Sequence, residues 1–217
     1  MARSTLLRGS WLLAAWACLA CTGAAAKQAD FALETPSAES RHVADWVLHS
    51  RDHGNGPFVI VDKVRSRMFV FDALGVLRGS APVLTGMATG DDSVPGIGQR
   101  AMHKILPAER TTPAGRFVAA LGPSLKGGEI LWIDYDAGVA LHTVVDTVAS
   151  ERRLQRLASV VPADHRITYG CINVPVGFFE TVLAPLFRHS SGVVYILPET
   201  RSSRVVFGSY DIPGRTP

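Results

Sequence analysis

Cys171 lies in the segment Thr-Tyr-Gly-Cys-Ile-Asn at 168–173, directly after Gly170 and a few residues before a helix predicted to begin near Pro175. Backbone N–H groups at the start of a helix favour negative charge, so this position predicts a lowered pKa for the Cys171 thiol and a reactive thiolate. Gly170 leaves room for a substrate backbone, and successive N–H groups at such a turn can hold a developing oxyanion. The pattern indicates nucleophilic attack on a carbonyl carbon.

A thiol nucleophile also requires a base, and histidine is the usual one. His142 follows an apolar, strand-like run at 139–141 that would hold its side chain in a fixed direction. His165 lies in a loop and is closer to Cys171 in sequence. Spacing alone does not choose between them. The seven histidines of the chain are His42, His49, His53, His103, His142, His165 and His189.

Residues 1–26 have the pattern of a secretory signal peptide. Two arginines precede an apolar run at 11–19, and alanines at 24–26 predict cleavage before Lys27. We therefore expect an exported protein of the periplasm or cell envelope, with no membrane span after cleavage. A retained membrane anchor is one alternative, although the apolar run is short for a span. Lipidation of Cys21 is another.

The cysteine count bears on the role of Cys171. The chain has three cysteines, of which Cys18 and Cys21 would leave with the signal peptide. Cys171 would then be a single thiol in an oxidising compartment, where it has no partner for an internal disulfide. Such a thiol is either a small buried hydrophobic residue or a group used in chemistry, and the count alone leaves both open.

Composition and charge are those of one ordinary globular domain. The 217 residues are 47% hydrophobic and 19% charged. Without residues 1–26, 20 Lys and Arg stand against 19 Asp and Glu, a net charge of +1. This balance gives no sign of a nucleic-acid footprint, so no nucleic-acid partner is expected.

Apolar runs bounded by turn residues predict a mainly β protein with few helices. Strands are predicted at 58–61, 68–71, 76–83, 117–120, 130–133, 139–141, 193–197 and 205–207. Helices are predicted at 41–49, 150–159 and 176–187, with Pro185 expected to kink or end the last one.

The sequence is predicted to be organised in four parts. The parts are the signal peptide at 1–26, an N-terminal lead-in at 27–56, a catalytic domain at 57–199 and a C-terminal extension at 200–217. The lead-in is expected to be flexible up to residue 40 and to contain the first short helix after it. A glycine-containing stretch at 86–110 is expected to be a functional or mobile surface excursion.

The chain resembles the L,D-transpeptidase catalytic domain, also called the YkuD family. That family has a strand-end His, then Ser/Thr-His-Gly-Cys, a hydrophobic residue and Arg or Asn, matched here by His142 and by 168–173. The segment 112–117 (Thr-Pro-Ala-Gly-Arg-Phe) resembles its TP-x-G-x-F segment, and the runs between 61 and 86 resemble its opening hairpins. The resemblance covers roughly residues 57–199.

The resemblance implies a β-sandwich or barrel-like core with a few short helices, and a role for each matched residue. Cys171 would attack a peptide carbonyl, and His142 would take the thiol proton and return it to the leaving amine. The carbonyl of Thr143 would orient the imidazole. The remaining expected site residues are Gly170 and Tyr169 for orientation or oxyanion support, and Asn173 and Thr168 for binding substrate.

The family's substrate is the peptidoglycan stem peptide. Attack on the bond between the third residue and a terminal D-alanine would form a thioester at Cys171, and the amine of a second stem would resolve it as a 3-3 cross-link in cell-wall biogenesis. The resemblance implies neither a metal nor an organic cofactor, and no His, Cys and Asp cluster has metal-ligand spacing.

Several alternatives stay open at this point. Water as acceptor would make the protein an L,D-carboxypeptidase or a related peptidoglycan hydrolase. Tyr169 stands where the family has a second His, which motivates a third possibility, an inactive cell-wall binding module. The loop at 143–167 is long, and its arginines at 152, 153 and 156 would form either a lid facing an anionic partner or a solvated face.

Overall fold

The computed structural model describes residues 28–124 and 127–213, and the predicted signal peptide lies outside them. This part of the chain is mainly β with a few short helices, which confirms the predicted fold class. Its strands are β1 (Phe58–Asp62), β2 (Arg67–Phe71), β3 (Leu77–Pro82), β4 (Thr85–Gly86), β5 (Gly115–Pro123), β6 (Glu129–Asp134), β7 (Val139–Thr143), β8 (Arg166–Thr168), β9 (Ile172–Val174) and β10 (Gly192–Ile196).

Eight of these strands form one nearly closed, barrel-like sheet in the order β3-β2-β1-β10-β5-β6-β7-β9. The pairs β1–β10 and β7–β9 are parallel, and the other neighbours are antiparallel. Strands β4 and β8 form a separate parallel pair. Leu84 and Asn173 exchange two backbone hydrogen bonds of 2.9 and 3.0 Å, so the small pair is fastened to β9 at the end of the large sheet.

The central strands carry apolar side chains on both faces because both faces are covered. In β1, Val59 and Val61 lie in one hydrophobic cluster, whereas Phe58 and Ile60 lie in a second one on the opposite face. This division follows the two-residue period of a strand. The helices are α1 (Ala38–Ser50), α2 (Arg153–Leu157), α3 (Val176–Phe178), α4 (Ala184–Phe187) and α5 (Ser203–Phe207), with a π-helical turn at Phe179–Leu183 between α3 and α4.

Helix α1 covers the second cluster, and local chemistry sets its ends. Ser37 accepts a hydrogen bond from the N–H of Ser40 at 3.0 Å, which caps the first turn. Arg51 adopts the left-handed conformation, with φ 58°, and ends the helix. The predicted flexible lead-in is wrong for residues 29–31, because Phe31 is buried in the same cluster and the backbone of Asp30 pairs with Val76.

Two of the other predicted elements differ in the structure. The predicted strand at 205–207 is wrong: Ser202 caps a helical turn there through the N–H of Val205, and Gly208 ends it with φ 69°. The predicted helix at 150–159 is interrupted by Arg152, whose φ of 46° separates a 3-10 turn from α2. The helix predicted at 176–187 is present with its π-helical turn, which directly precedes the turn containing Pro185.

The stretch at 86–110 is anchored to the rest of the domain. A bridge pairs Ala88 with Thr111, and a Cβ at Gly98 would lie 2.3 Å from the carbonyl oxygen of Asp136, so the stretch passes directly against the turn before β7. Its 3-10 turns are Ile97–Gln99, Met102–Lys104 and Pro107–Glu109, and two further ones follow at Ala149–Glu151 and Pro162–His165.

A buried ionic network joins the end of β1 to two distant loops. The ammonium of Lys63, whose side chain is fully buried, donates to the carbonyl oxygens of Gly90 (2.6 Å) and Thr112 (3.0 Å) and to Asp91 (3.0 Å). It also lies 3.5 Å from a carboxylate oxygen of Glu199. Burial by itself would raise the pKa of Asp91, but hydrogen bonds from residues 199–200 and Lys63 outweigh it and hold the pKa well below its usual range.

We predict that Lys63→Met destabilises the fold by about 3–5 kcal/mol, because it removes the buried cation that donates to Asp91 and to two backbone carbonyl oxygens, while Glu199 keeps its pair with Arg166. The free energy of unfolding, measured by urea denaturation at neutral pH, reports this loss. Arg204→Met is the control, since Arg204 and Asp211 form an exposed ion pair whose removal should leave the urea midpoint nearly unchanged. Equal midpoints for both variants would contradict a central role for the Lys63 network.

Candidate active site

Strands β7 and β9 are neighbours in the sheet, and they carry His142 and lead on from Cys171. Their parallel register pairs Leu141 with Ile172 and His142 with Asn173, and Cys171 immediately precedes β9. Leu141 and Ile172 both point into the first hydrophobic cluster, so strand alternation places His142, Asn173 and Cys171 on the opposite face. The predicted dyad therefore lies at one edge of the large sheet.

The imidazole of His142 is held in one tautomer. Its Nδ1 lies 2.8 Å from the carbonyl oxygen of Thr143. A carbonyl oxygen can only accept, so Nδ1 carries the proton and Nε2 keeps its lone pair. The amide nitrogen of Asn173 lies 3.1 Å from Nε2 and donates to it. The acceptor nitrogen of His142 therefore lies on the face shared with Cys171, where it accepts from Asn173.

The amide of Asn173 is itself oriented by the long loop at 143–167. Arg153 donates from Nη1 to the amide oxygen of Asn173 at 2.8 Å, and from Nε to the carboxylate of Glu151 at 2.6 Å. A guanidinium has no acceptor, so the amide oxygen must face Arg153 and the amide nitrogen must face His142. Asn173, expected from the resemblance to bind substrate, is fully buried and contacts the imidazole of His142.

The three arginines of this loop have different surroundings. The side chain of Arg153 is only 13% exposed and turns inward to the site, whereas Arg152 is exposed. Arg156 donates to the backbone oxygens of Glu151 and Asp164, each at 2.8 Å, and so closes the loop on itself. The sequence pattern did not identify Arg153 as a contact of Asn173, because its loop returns to β9 only in three dimensions.

His165 is the other histidine near Cys171 in sequence, and it has a different position. It is buried, with Nδ1 2.9 Å from the oxygen of Val83 and Nε2 3.0 Å from the oxygen of Ser159. These contacts fasten the end of the 143–167 loop to the segment before β4. The structure thus places His142, and not His165, beside the strand that follows Cys171.

The loop that carries Cys171 is held by two threonine hydroxyls. Thr168 donates to the carbonyl oxygen of Cys171 at 2.6 Å and accepts from the N–H of Gly170 at 3.2 Å. Thr112 donates to the carbonyl oxygen of Gly170 at 2.8 Å and accepts from the N–H of Gly86 at the same distance. Thr168, expected to bind substrate, is buried and makes its hydrogen bonds within the loop.

Gly170 is required by its conformation and by a close approach. Its φ is 134°, a region that favours glycine, and a Cβ there would lie 2.9 Å from the carbonyl oxygen of Thr111. Its N–H, one of the expected oxyanion donors, is engaged by Thr168. The residue therefore allows the nucleophile loop to lie against the segment at 110–112.

Burial raises the pKa of the Cys171 thiol, an effect that a backbone hydrogen bond from Ala140 and the charge of Arg153 only partly offset. The thiol sulfur also lies 3.6 Å from the carbonyl oxygen of Gly138, to which only a protonated thiol can donate. The lowered pKa expected from a helix start is wrong. Cys171 leads into β9, and the first helical residue is Val176, after that strand.

Tyr169, the departure from the family pattern, stacks against a cation. The guanidinium carbon of Arg110 lies 3.8 Å from the centre of the Tyr169 ring, a close cation–π contact. Arg110 also donates from Nε and Nη2 to the carbonyl oxygen of Ile105, at 3.3 and 3.2 Å. The segment at 105–110 and the nucleophile loop are joined through this pair.

Two further observations bear on other classes of site. Within residues 28–124 and 127–213, no group of three or more His, Cys, Asp or Glu side chains could hold a metal ion. The helices in these two ranges are too short or too polar to cross a membrane.

Comparison with known proteins finds similarity among solved structures. No protein-family model matches the chain, and no curated protein matches it. Among solved structures, the chain is similar to the catalytic domain of the L,D-transpeptidase from E. faecium, determined by NMR. The similarity covers 66% of this chain and 98% of that domain at 17% identity, with a TM-score of 0.36. A likeness at this identity and TM-score says nothing about chemistry, so the chemistry depends on the site itself.

We predict that Cys171 reacts with iodoacetamide more slowly than free cysteine at pH 8, and that the rate keeps rising with pH beyond the usual thiol range. The reason is its raised pKa, which lowers the thiolate fraction. Arg153→Gln should raise the apparent pKa further, because it removes a charge that favours the thiolate. Labelling rates followed by mass spectrometry between pH 6 and about 11 measure both effects.

Arg152→Gln is the matched control for this measurement. It removes the same charge from the adjacent, exposed position and should leave the Cys171 profile unchanged. Identical profiles for Arg152→Gln and Arg153→Gln would show that Arg153 has no specific effect on the thiol.

We also predict that the neutral imidazole of His142 carries its proton on Nδ1, as two-bond ¹H–¹⁵N NMR spectra would show. Asn173→Asp replaces the amide donor at Nε2 by a carboxylate that can only accept, so Nε2 should become protonated. Asn173→Ala leaves neither the amide donor nor a carboxylate acceptor at Nε2. It should keep Nδ1 protonated, since Thr143 still accepts from it. A proton on Nε2 in the unsubstituted protein would overturn this arrangement.

Proposed function

We propose that this protein is an exported cysteine acyltransferase that acts on peptidoglycan stem peptides, with Cys171 as nucleophile and His142 as general base. The observation that carries the proposal is the parallel pairing of β7 and β9, in which His142 presents an acceptor nitrogen on the face shared with Cys171. The expected substrate class comes from the resemblance of the site segments to L,D-transpeptidases.

The reaction begins with proton transfer. His142 takes the thiol proton at Nε2 while the sulfur of Cys171 attacks the carbonyl carbon of the third stem residue, in its peptide bond to a terminal D-alanine. The imidazolium then gives that proton to the departing amine, and D-alanine leaves. The acyl group remains on sulfur as a thioester. Because Thr143 accepts from Nδ1 throughout, it orients the ring and stabilises the imidazolium without taking a proton.

The second half of the reaction resolves the thioester. The amine of a second stem attacks the thioester carbonyl and gives up a proton to His142, which returns it to the sulfur as the C–S bond breaks. The product is a 3-3 cross-link, and the free thiol is restored. Water in place of the amine would give a tripeptide by the same steps, which is the L,D-carboxypeptidase alternative.

The raised pKa of Cys171 makes the base essential to this proposal. A thiol that rests protonated reacts slowly by itself, so the proton must leave as the sulfur attacks. Asn173 donates to the same nitrogen that would receive the proton, at 3.1 Å. Its amide must therefore yield Nε2 when the thiol proton arrives, and the buried Arg153 contact determines how readily it does so.

Incubation of the mature protein with purified tetrapeptide stems, followed by mass spectrometry, tests the function. We expect cross-linked dimers with loss of D-alanine. Tripeptides without dimers would assign hydrolysis instead of transfer. Neither product, together with retained binding to peptidoglycan, would favour a binding module without chemistry.

The variants for this assay follow from the site. Cys171→Ala should abolish turnover, and His142→Ala should lower it by about 10²–10⁴-fold, the usual contribution of a general base. His189→Ala removes an exposed histidine just after α4, outside the segments that form the site, and is the matched control. A carbapenem, whose ring carbonyl acylates such thiols, should add its mass at Cys171 only. Wild-type turnover by Cys171→Ala would refute the proposal.

A further inference from the structure

Arg110 has an unusual set of contacts for an arginine next to the nucleophile loop. One face of its guanidinium is covered by the Tyr169 ring at 3.8 Å. The edge formed by Nε and Nη2 donates to a single oxygen, that of Ile105. These contacts fix the position of a half-buried guanidinium before any ligand arrives.

The other edge of this guanidinium, which includes Nη1, donates to no acceptor in the described part of the chain, and Arg110 forms no ion pair there. Neighbouring arginines differ: Arg100 pairs with Glu109 at 3.1 Å, and Arg153 pairs with Glu151. Arg110 is thus a positioned cation whose charge is not neutralised by a described carboxylate.

The location of Arg110 relates it to the chemistry at Cys171. The next residue, Thr111, lies against Gly170: a Cβ added at Gly170 would lie 2.9 Å from the Thr111 carbonyl oxygen. Thr112 then donates to the Gly170 carbonyl oxygen. Tyr169 itself precedes Cys171 by two residues. The cation therefore lies on the segment that packs along the nucleophile loop.

We propose that Arg110, positioned by Tyr169, is a binding subsite for a carboxylate of the substrate, namely the free C-terminal carboxylate of a peptide whose last bond Cys171 attacks. A guanidinium edge with two parallel N–H groups matches the two oxygens of a carboxylate, and a lysine does not reproduce that fork. The inference rests on the proposed function for its substrate. It also gives Tyr169 a role that the resembled pattern does not provide.

Binding to a protein without the nucleophile tests the subsite separately from turnover. In a Cys171→Ala background, the probes are Nα-acetyl-L-lysyl-D-alanine with a free C-terminal carboxylate and the same dipeptide as its C-terminal carboxamide. We expect the carboxylate to bind at least about tenfold more tightly by calorimetry or NMR titration, the usual difference for a charge-assisted bidentate pair.

Substitutions at position 110 should remove this preference. Arg110→Met should bring the ratio of the two dissociation constants close to one, and Arg110→Lys should give an intermediate ratio. Arg41→Met is the matched control, because Arg41 also stacks on an aromatic ring, Phe31, at 5.0 Å but on the N-terminal helix. Its ratio should equal that of the Cys171→Ala parent. Tyr169→Phe keeps the ring and should keep the preference.

The outcomes separate the two proposals. A preference for the carboxylate that survives both Arg110 substitutions, or equal or absent binding of the two probes by the parent, would overturn the subsite even if the wild type cross-links stems. Absence of turnover by the wild type would refute the proposed function, while a preference lost only in the Arg110 variants would still support the subsite.

Discussion

The site depends on the hydrogen bonds and ion pairs of the buried Lys63 ammonium. An unpaired charge at that depth would be very costly, so the chain must bring oxygen acceptors to it from distant segments. Thr112 is one of these partners, through its carbonyl oxygen. The hydroxyl of the same residue then joins Gly86 to Gly170 and fixes the nucleophile loop. Thr112 therefore connects the buried charge at the end of β1 to the loop that carries Cys171.

The site has one rigid part and one part that depends on a loop. Parallel pairing of β7 with β9 fixes His142 beside the strand that Cys171 enters, and the backbone of Thr143 fixes its tautomer. The loop then adds Arg153, which orients Asn173 and supplies positive charge near the thiol. In the proposed mechanism, a change in this loop would alter proton transfer between Cys171 and His142 while leaving the pairing of β7 with β9 intact. The resting thiol and the oriented base are thus set by different segments.

Much of the fold follows from patterns that a sequence displays directly. The strands β1 and β10 are short apolar runs, and α1 has a serine at its start, so local chemistry and tertiary burial agree there. The strand predicted at 205–207 was wrong. Two β-branched residues lie there, but Ser202 and Gly208 cap the segment at its two ends and stabilise a helix. The prediction was also incomplete at Arg152, whose left-handed backbone divides a helical pattern. In both places a terminal residue outweighed the apolar pattern.

The sequence by itself determined that Cys171 follows a glycine and that His142 ends an apolar strand, and these are the groups on which the proposed chemistry rests. Only the tertiary structure shows that His142, and not His165, lies beside β9, because this depends on which strands pair. It also reversed the expected pKa shift of Cys171, because burial raises the pKa of the thiol and the residue leads into a strand and not into a helix. Local order along the chain selects residue types, but desolvation and pairing between distant segments set their protonation and their neighbours.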